Sequence, residues 1–300
     1  MTRSGFVAVV GRPNVGKSTL VNALVGSKVA ITSKRPQTTR NTIRGVLTRR
    51  DEAGEPESQL VLVDTPGLHK PKTALGERLN AMVYGTLAES DVNLFLLDAV
   101  QPVGPGDRRI AERLTAAGSP VVVVVNKIDI ASKPVVAERL LEAVEWDFDA
   151  YVPASALKAE ALEPVVAELT ARLPEGPLYF PPDAISDQPE QQLIGEIIRE
   201  KFLDRLRDEL PHSLTVIVRE MEQRTSGTLY VDAVAIVERS SQKGIIIGKG
   251  GEMLRTAGSE ARVELEAIFG TKVFLDLRVK VEKDWQHHPD LLDRLGFQGN

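Results

Sequence analysis

Eight residues near the N-terminus, Gly11-Arg12-Pro13-Asn14-Val15-Gly16-Lys17-Ser18, follow the pattern G-x-x-x-x-G-K-[ST]. Those residue types at that spacing suit the holding of phosphate. Backbone N–H groups of a glycine loop turn inward onto phosphate oxygens, and the helix that must follow adds the positive end of its dipole. Lys17 can reach β and γ oxygens, the Ser18 hydroxyl can hold Mg²⁺, and Thr19 completes the phosphate-binding set. Further along stands Asp64-Thr65-Pro66-Gly67, or D-x-x-G. Asp64 could hold the metal through water, and the Gly67 N–H could reach a γ-phosphate. A threonine upstream, Thr38 or Thr39, could complete the metal shell. Both loops would then order with a triphosphate and relax after its hydrolysis. D-x-x-G alone describes many turns after strands; it gains meaning from following a phosphate loop.

Asn126-Lys127-Ile128-Asp129 reads N-K-x-D and selects the base. A carboxylate at Asp129 accepts both the N1–H and the exocyclic amine of guanine. Adenine offers no such pair and would leave the carboxylate unsatisfied, a discrimination of about 10⁴-fold for a site built on such bonds. Asn126 would brace the loops and the Lys127 stem would lie along the base plane. Ser155-Ala156-Leu157 supplies small residues whose N–H groups can approach the guanine carbonyl.

These residues need a frame that brings them to one rim. Phe6 to Val10 is a short β-branched run suited to a buried strand, and Leu20, Val21, Leu24 and Val25 recur at helical spacing. Strands are expected at 42–49, 59–63, 92–97, 120–125 and 151–154. Helices are expected around Leu75 to Leu87, 106–117 and 160–173. Apolar strands alternating with helices imply a mostly parallel sheet with helices on both faces, whose ligands sit at the strands' carboxyl ends. Lys17, Asp64 and Asp129 all follow strand ends. The polar segment Thr32 to Arg40, with its proline, reads as a mobile loop.

The chain has 300 residues, 42% hydrophobic and 26% charged, ample for two globular domains. No apolar run approaches the roughly 20 residues of a membrane span, and no signal peptide is read at the start. The absence of cysteine removes disulfides and thiolate chemistry and fits a cytoplasmic setting. The four histidines form no metal pattern: His287 and His288 are adjacent and would diverge on a helix. A net charge of −5 argues against bulk electrostatic coating of nucleic acid.

Prolines at 174, 177, 181 and 182 stop regular structure and mark a linker. The domains are therefore expected at 1–175 and 189–300, with a linker at 176–188. In the second half a helix with a wide apolar face from Leu193 to Leu206 precedes strands at 214–222 and 229–237. Then come Lys243-Gly244-Ile245-Ile246-Ile247-Gly248-Lys249-Gly250-Gly251, a helix over 252–269 and a strand over 272–281. A loop without side chains at Gly248 and Gly251 lets a nucleic-acid backbone approach. Lys249, with Lys243 and Arg255, could neutralise phosphates beside a groove for single-stranded bases.

The motifs GRPNVGKS, PQTTR, DTPGL, NKID and SAL resemble the translation-factor-like class of small GTPases. The order helix, strand, strand, helix, G-x-x-G, helix, strand resembles the type II, or bacterial-type, KH domain. Nearly the whole chain is similar to the Era family of bacterial GTPases, including PDAISDQPEQQLIGEIIREKFL, IIIGKGG, TKVFLDLRVKV and EKDWQHHPDLLDRLGF. The resemblance implies an α/β P-loop GTPase domain followed by an α+β KH domain. It implies slow, Mg²⁺-dependent GTP hydrolysis with Lys17, Thr39 and Gly67 at the γ-phosphate. It favours Thr39 over Thr38 as metal ligand, with Ser18 and Asp64. Leu68 stands where many GTPases carry a water-orienting glutamine, and Asn14 stands where relatives help hold K⁺. The family also implies a monomer that binds GDP and GTP, the 3′ end of 16S rRNA and the 30S subunit, with peripheral membrane association that no residue pattern supports. Ala159 and Ala161 depart from the family where glycine-containing stretches are common. The rival readings are a GTPase switch acting on protein or membrane partners without RNA, and a tRNA-modification partner, against which the IIIGKGG context counts.

Overall fold

A computed structural model describes residues 2–33, 35, 38–67, 73–206 and 210–297. The first half is a layered α/β unit. Strands β1 (Arg3–Gly11), β2 (Ile43–Arg50), β3 (Pro56–Asp64), β4 (Val92–Asp98), β5 (Val121–Asn126) and β6 (Ala150–Ala154) form a sheet ordered β2-β3-β1-β4-β5-β6. Its pairs are parallel except β2 with β3. Residues of β4 and β5 are buried throughout, which accounts for their continuous apolar runs. Helices α1 (Lys17–Val25), α2 (Ala74–Glu89), α3 (Pro105–Ala117), α4 (Lys133–Val144) and α5 (Leu162–Arg172) cover the two faces. One core gathers Val7, Leu20, Leu62 and Leu169, the other Val10, Phe95, Ile110 and Val123.

Helix α4 escapes the sequence reading. Its buried residues are Arg139 and Ala143, while Leu141 and Val144 are exposed, so its apolar spacing carries no clear stripe. β3 also starts at Pro56, earlier than the apolar run, because Ser58 and Gln59 are buried polar residues of the strand.

The second half comprises α6 (Glu190–Leu203), α7 (Leu210–Ser213), β7 (Thr215–Gln223), β8 (Leu229–Val237), α8 (Ser240–Ile247), α9 (Glu252–Phe269), β9 (Val273–Val281) and α10 (Pro289–Arg294). Its sheet runs β7-β8-β9, with β7 antiparallel and β9 parallel to β8. Alternation sends Leu229, Val231, Ala233 and Ala235 to one face, where they join Ile197, Phe202, Ala257 and Leu265 of α6 and α9. Val234 and Ile236 point to the other face and meet Leu75 and Leu79 of α2, with Trp285, Leu292 and Phe297 of the tail.

The proline-rich segment between α5 and α6 is pinned along the first sheet. Gly176 donates to the Thr2 carbonyl at 3.0 Å and Val46 to that of Ile185 at 2.9 Å. The Gln59 side-chain carbonyl accepts from Tyr179 and Phe180 N–H at 2.9 and 3.0 Å. Within the polar segment Thr32 to Arg40, the described Thr39 and Arg40 are buried, and Ile31 just before it sits in the second half's core. Packing between the halves claims residues that look solvent-facing in sequence.

Candidate nucleotide site and nucleic-acid interface

β1 ends at Gly11 and α1 begins at Lys17, so residues 12–16 form the loop expected to hold phosphate. Gly16 caps the helix with φ +103°, and an added Cβ would lie 2.3 Å from the Asn126 Nδ2. Only glycine lets the loop lie this close to the base-selecting loop. Lys17 is buried, its ammonium donating to the Gly11 and Arg12 carbonyls at 3.1 and 3.2 Å. Burial pushes its pKa down to about 8, partly offset by the Asp64 charge. The Arg12 side chain leaves the loop and pairs with Asp107 at 2.8 Å, so only its backbone faces the phosphate position.

Ser18, Thr39 and Asp64 converge. Ser18 Oγ donates to Asp64 Oδ2 at 2.6 Å and lies 3.0 Å from Thr39 Oγ1, which lies 3.3 Å from the same carboxylate oxygen. Burial pushes the Asp64 carboxyl up, against the Lys17 charge and its hydroxyl bonds. Its second oxygen, Oδ1, is buried without a hydrogen-bond partner among the described residues. A cluster of hydroxyl and carboxylate oxygens with one carboxylate oxygen free fits a hard cation such as Mg²⁺ and its water shell. Thr38 turns elsewhere, its hydroxyl donating to the Arg35 carbonyl at 2.8 Å. Gly67 packs on Pro13, whose ring atom an added Cβ would meet at 2.9 Å. Leu68 lies outside the described residues.

Asn126, at the end of β5, ties two loops. Its Nδ2 donates to the Val15 carbonyl at 2.8 Å, and its Oδ1 accepts from the Ala156 N–H at 2.9 Å. Lys127 Nζ donates to the Asn14 carbonyl at 2.7 Å and pairs with Asp98 at 2.6 Å, a partner the sequence reading misses. Asp129 accepts from Ser155 Oγ at 2.6 Å, which fixes its carboxylate beside the 155–157 segment. Leu157 is exposed. Val15 is buried under the loop, and Thr19 lines the cleft with Pro13, Asn14 and Gly67. That cleft measures about 60 Å³, with Ser18 and Thr39 on its walls.

In the second half, α8 ends at Ile247 and α9 begins at Glu252. Lys249 and Gly250 are exposed at the loop tip between them. Gly251, Leu254, Arg255, Gly258 and Arg262 face Leu275 and Leu277 of β9 across a groove of about 440 Å³. Arg255 lines this groove; Lys243 lies half-buried on α8, outside it.

Other groups emerge only in three dimensions. Arg40, Glu196, Arg199 and Trp285 are buried where the halves meet. For Glu196 and Arg199 the sequence signal is slight, since charges on the polar side of an amphipathic helix read as solvent-facing.

The family model described as "50S ribosome-binding GTPase" matches residues 6–127, and the KH domain model matches 209–286. The chain is similar to the GTPase Era of Mycolicibacterium paratuberculosis, at 52% identity over 98% of this chain and 99% of that one. It is similar also to the GTPase Era of Mycobacterium tuberculosis, at 50% identity over 98% of each. Among solved structures, a point variant of Aquifex aeolicus Era bound to GDP and AlF4⁻ is 38% identical over 99% of each chain, with a TM-score of 0.93. Era in complex with MgGDPNP and nucleotides 1506–1542 of 16S ribosomal RNA is also 38% identical over 99% of each, with a TM-score of 0.94.

Proposed function

Because this chain belongs to the Era family of GTPases, we propose that it is a GTP-hydrolysing switch that binds the 3′ end of 16S rRNA through its KH domain and acts in assembly of the 30S subunit. The observation that carries this reading is one chain holding both a phosphate loop with a guanine-selecting rim and a G-x-x-G groove, on halves that interlock through buried charge. The solved Era complex that holds a GTP analogue and a 16S rRNA segment supports it.

In this reading domains span 1–175 and 189–300. Asp129 accepts the two guanine N–H groups, Asn126 fixes both loops, and Ala156 and Leu157 N–H groups approach the base carbonyl. N–H groups of residues 12–19 and the Lys17 ammonium hold phosphate oxygens. Ser18, Thr39 and, through water, Asp64 would hold Mg²⁺, which when bound neutralises phosphate charge. Water attacks the γ-phosphorus in line with the bridging oxygen. The bridging bond breaks, its electron pair stays on GDP, and the water protons pass to the released phosphate. Lys17 and the Gly67 N–H stabilise charge on the transferred group. Asn14 would contribute to a K⁺ site beside the loop, tested by turnover in K⁺ against Na⁺ at matched ionic strength. Cytoplasmic residence belongs to the same reading. No helix among the described residues is long and apolar enough to cross a membrane. Peripheral membrane association rests on family resemblance, and vesicle flotation tests it.

The deciding experiment is crosslinking in cells followed by sequencing of attached RNA, with intact protein and with Lys249→Asp. Reads concentrated on the small-subunit rRNA 3′ end and lost in the variant are expected. Diffuse reads, or reads unchanged by the variant, would leave a GTPase acting on other partners.

A further inference from the structure

Thr39 is bracketed by the second half of the chain. On one side, the Thr38 carbonyl accepts a hydrogen bond from Arg199 Nη2 of α6. Arg199 is fully buried, and Glu196 holds it by two bonds, to Nε at 2.9 Å and to Nη2 at 2.7 Å. On the other side, Arg40 leaves the loop and donates to the Leu214, Pro211 and His212 carbonyls at 2.7, 2.9 and 2.7 Å. Its guanidinium lies 5.8 Å from the Trp285 ring centre. Between these anchors the Thr39 hydroxyl faces the opposite way, 3.0 Å from Ser18 Oγ.

From this geometry we infer that Arg199 is a positioning residue for the nucleotide site: α6, docked on the loop, fixes the place of the Thr39 hydroxyl. The third side-chain group of the metal cluster is thus set by the RNA-binding half as well as by nucleotide. The inference rests on the reading that Thr39 holds Mg²⁺. The planar fork is needed because one guanidinium must satisfy the Glu196 carboxylate and a carbonyl together, which a lysine ammonium does with poorer geometry.

The clamp is also built to release. Burial disfavours the Arg40 charge most and the neighbouring Arg199 guanidinium adds to this, with Glu196 and Glu238 as the opposing carboxylates. Arg199 Nη1 is buried without a partner among the described residues. Undocking would return both cations to water, so the contact depends on the domains' arrangement more than on its own pairing.

The test uses the full chain as wild type, Arg199→Gln, Arg199→Lys and Thr39→Ala. The measurement is affinity for fluorescent GDP and for a non-hydrolysable GTP analogue across a Mg²⁺ titration, with hydrogen exchange over residues 29–42. GDP has no γ-phosphate for the loop to cover, so its affinity should stay within about twofold. At limiting Mg²⁺ the analogue should bind about tenfold more weakly to Arg199→Gln and to Thr39→Ala, with Arg199→Lys between. Exchange over 29–42 should rise in Arg199→Gln. Analogue affinity equal to wild type in Arg199→Gln, with Thr39→Ala impaired, overturns the inference alone. Equal losses for both nucleotides overturn it in favour of a general structural role. Thr39→Ala without effect removes the metal-ligand reading and the inference with it. Should Arg199→Gln fail to fold, Arg40→Lys loosens the other anchor and faces the same criteria.

Discussion

The glycines of the 248–251 loop serve different ends, and single alanine substitutions should separate them. Gly248 has φ +76° and ψ 172°, and an added Cβ would lie 2.8 Å from Met253 Cβ and 2.9 Å from its backbone nitrogen. That backbone region is nearly exclusive to glycine, at a cost of roughly 1–3 kcal/mol for another residue. The collision is with the first turn of α9, which cannot yield cheaply, and such overpacking adds about 1–3 kcal/mol. Gly248→Ala should therefore destabilise the second domain by about 2–6 kcal/mol. Gly251 has φ +77° and ψ 14°, with nothing within 4 Å of an added Cβ. Alanine there costs about 1 kcal/mol of left-handed strain, and its methyl enters the space where a nucleic-acid backbone would approach. Thermal unfolding and anisotropy with a short single-stranded RNA from the 16S 3′ end read the two effects. Gly251→Ala should melt within a few degrees of wild type yet bind RNA about tenfold more weakly. Gly248→Ala should show the large melting shift. A wild-type melt for Gly248→Ala refutes the packing argument, and wild-type RNA affinity for Gly251→Ala refutes the close approach.

Ala159 and Ala161 have φ +52° and +58°, so replacing either by glycine should stabilise the nucleotide-free protein by about 0.5–1 kcal/mol; chemical denaturation checks this, and a loss of stability contradicts it. Lys17 has a pKa near 8 in the folded chain against an ordinary 10.5. Between those values the unfolded chain holds a proton that the folded chain lacks, so nucleotide-free stability should rise with pH across that window, by up to ~3 kcal/mol from this group. Melting curves of wild type against Lys17→Met test it: the variant should lack the rise, and identical profiles refute the assignment. Asp129→Asn replaces the carboxylate proposed to accept two guanine N–H groups with an amide that can donate one bond. GTP affinity should fall about 10²-fold or more while a base with a carbonyl in place of the exocyclic amine gains relative to it, as competition binding would show.

Much of the fold is legible because its signals are local. β4 and β5 are buried on both faces and so appear as unbroken apolar runs, and a phosphate loop must lie between a strand and a helix. β8 and α9 match their expected bounds to the residue, since alternation and helical spacing change sharply at their ends. Helix α4 stays hidden because it buries little apolar surface. The choice between Thr38 and Thr39 cannot be made from residue type. It turns on which hydroxyl faces Ser18, and that depends on anchors 161 to 174 positions away in sequence, at Arg199 and over 211–214. Burial of α6 on its charged side is hidden for the same reason: Glu196, Arg199 and Glu200 look like a solvated face until the first domain covers them.

Both segments expected to touch a γ-phosphate run directly into the second domain. Thr39 is held between Arg199 and the Arg40 anchor. Upstream of it, Thr32 N–H donates to Glu200 at 2.8 Å, and Lys28 pairs with Glu200 and Glu264 of α6 and α9. Helix α2 begins at Ala74, shortly after the D-x-x-G turn that ends at Gly67. It carries Leu75 and Leu79 into the cluster with Trp285 and Phe297, while Arg78 pairs with Asp293 at 2.6 Å. Whatever the second domain adds to triphosphate binding through these contacts, triphosphate must return to the docking of that domain, because coupling between two binding equilibria is reciprocal. The contacts are also unequal in kind. The α2 cluster is apolar and stacked, with Trp285 and Phe297 rings 5.5 Å apart, and tolerates small rearrangement. The Arg40 and Arg199 cluster is charged and incompletely paired, and loses its footing once water enters. A change at the nucleotide site should therefore break the Arg199 contact to the Thr38 carbonyl before the α2 contacts, so that the domains pivot about the Trp285 cluster, to which Arg40 and Ser213 stay joined. Hydrogen exchange with GDP and with a GTP analogue bound would show this as a nucleotide-dependent change over residues 38–39 and 196–203, with 75–83, 211–214 and 285–292 unchanged. Equal changes in both sets would place the pivot elsewhere.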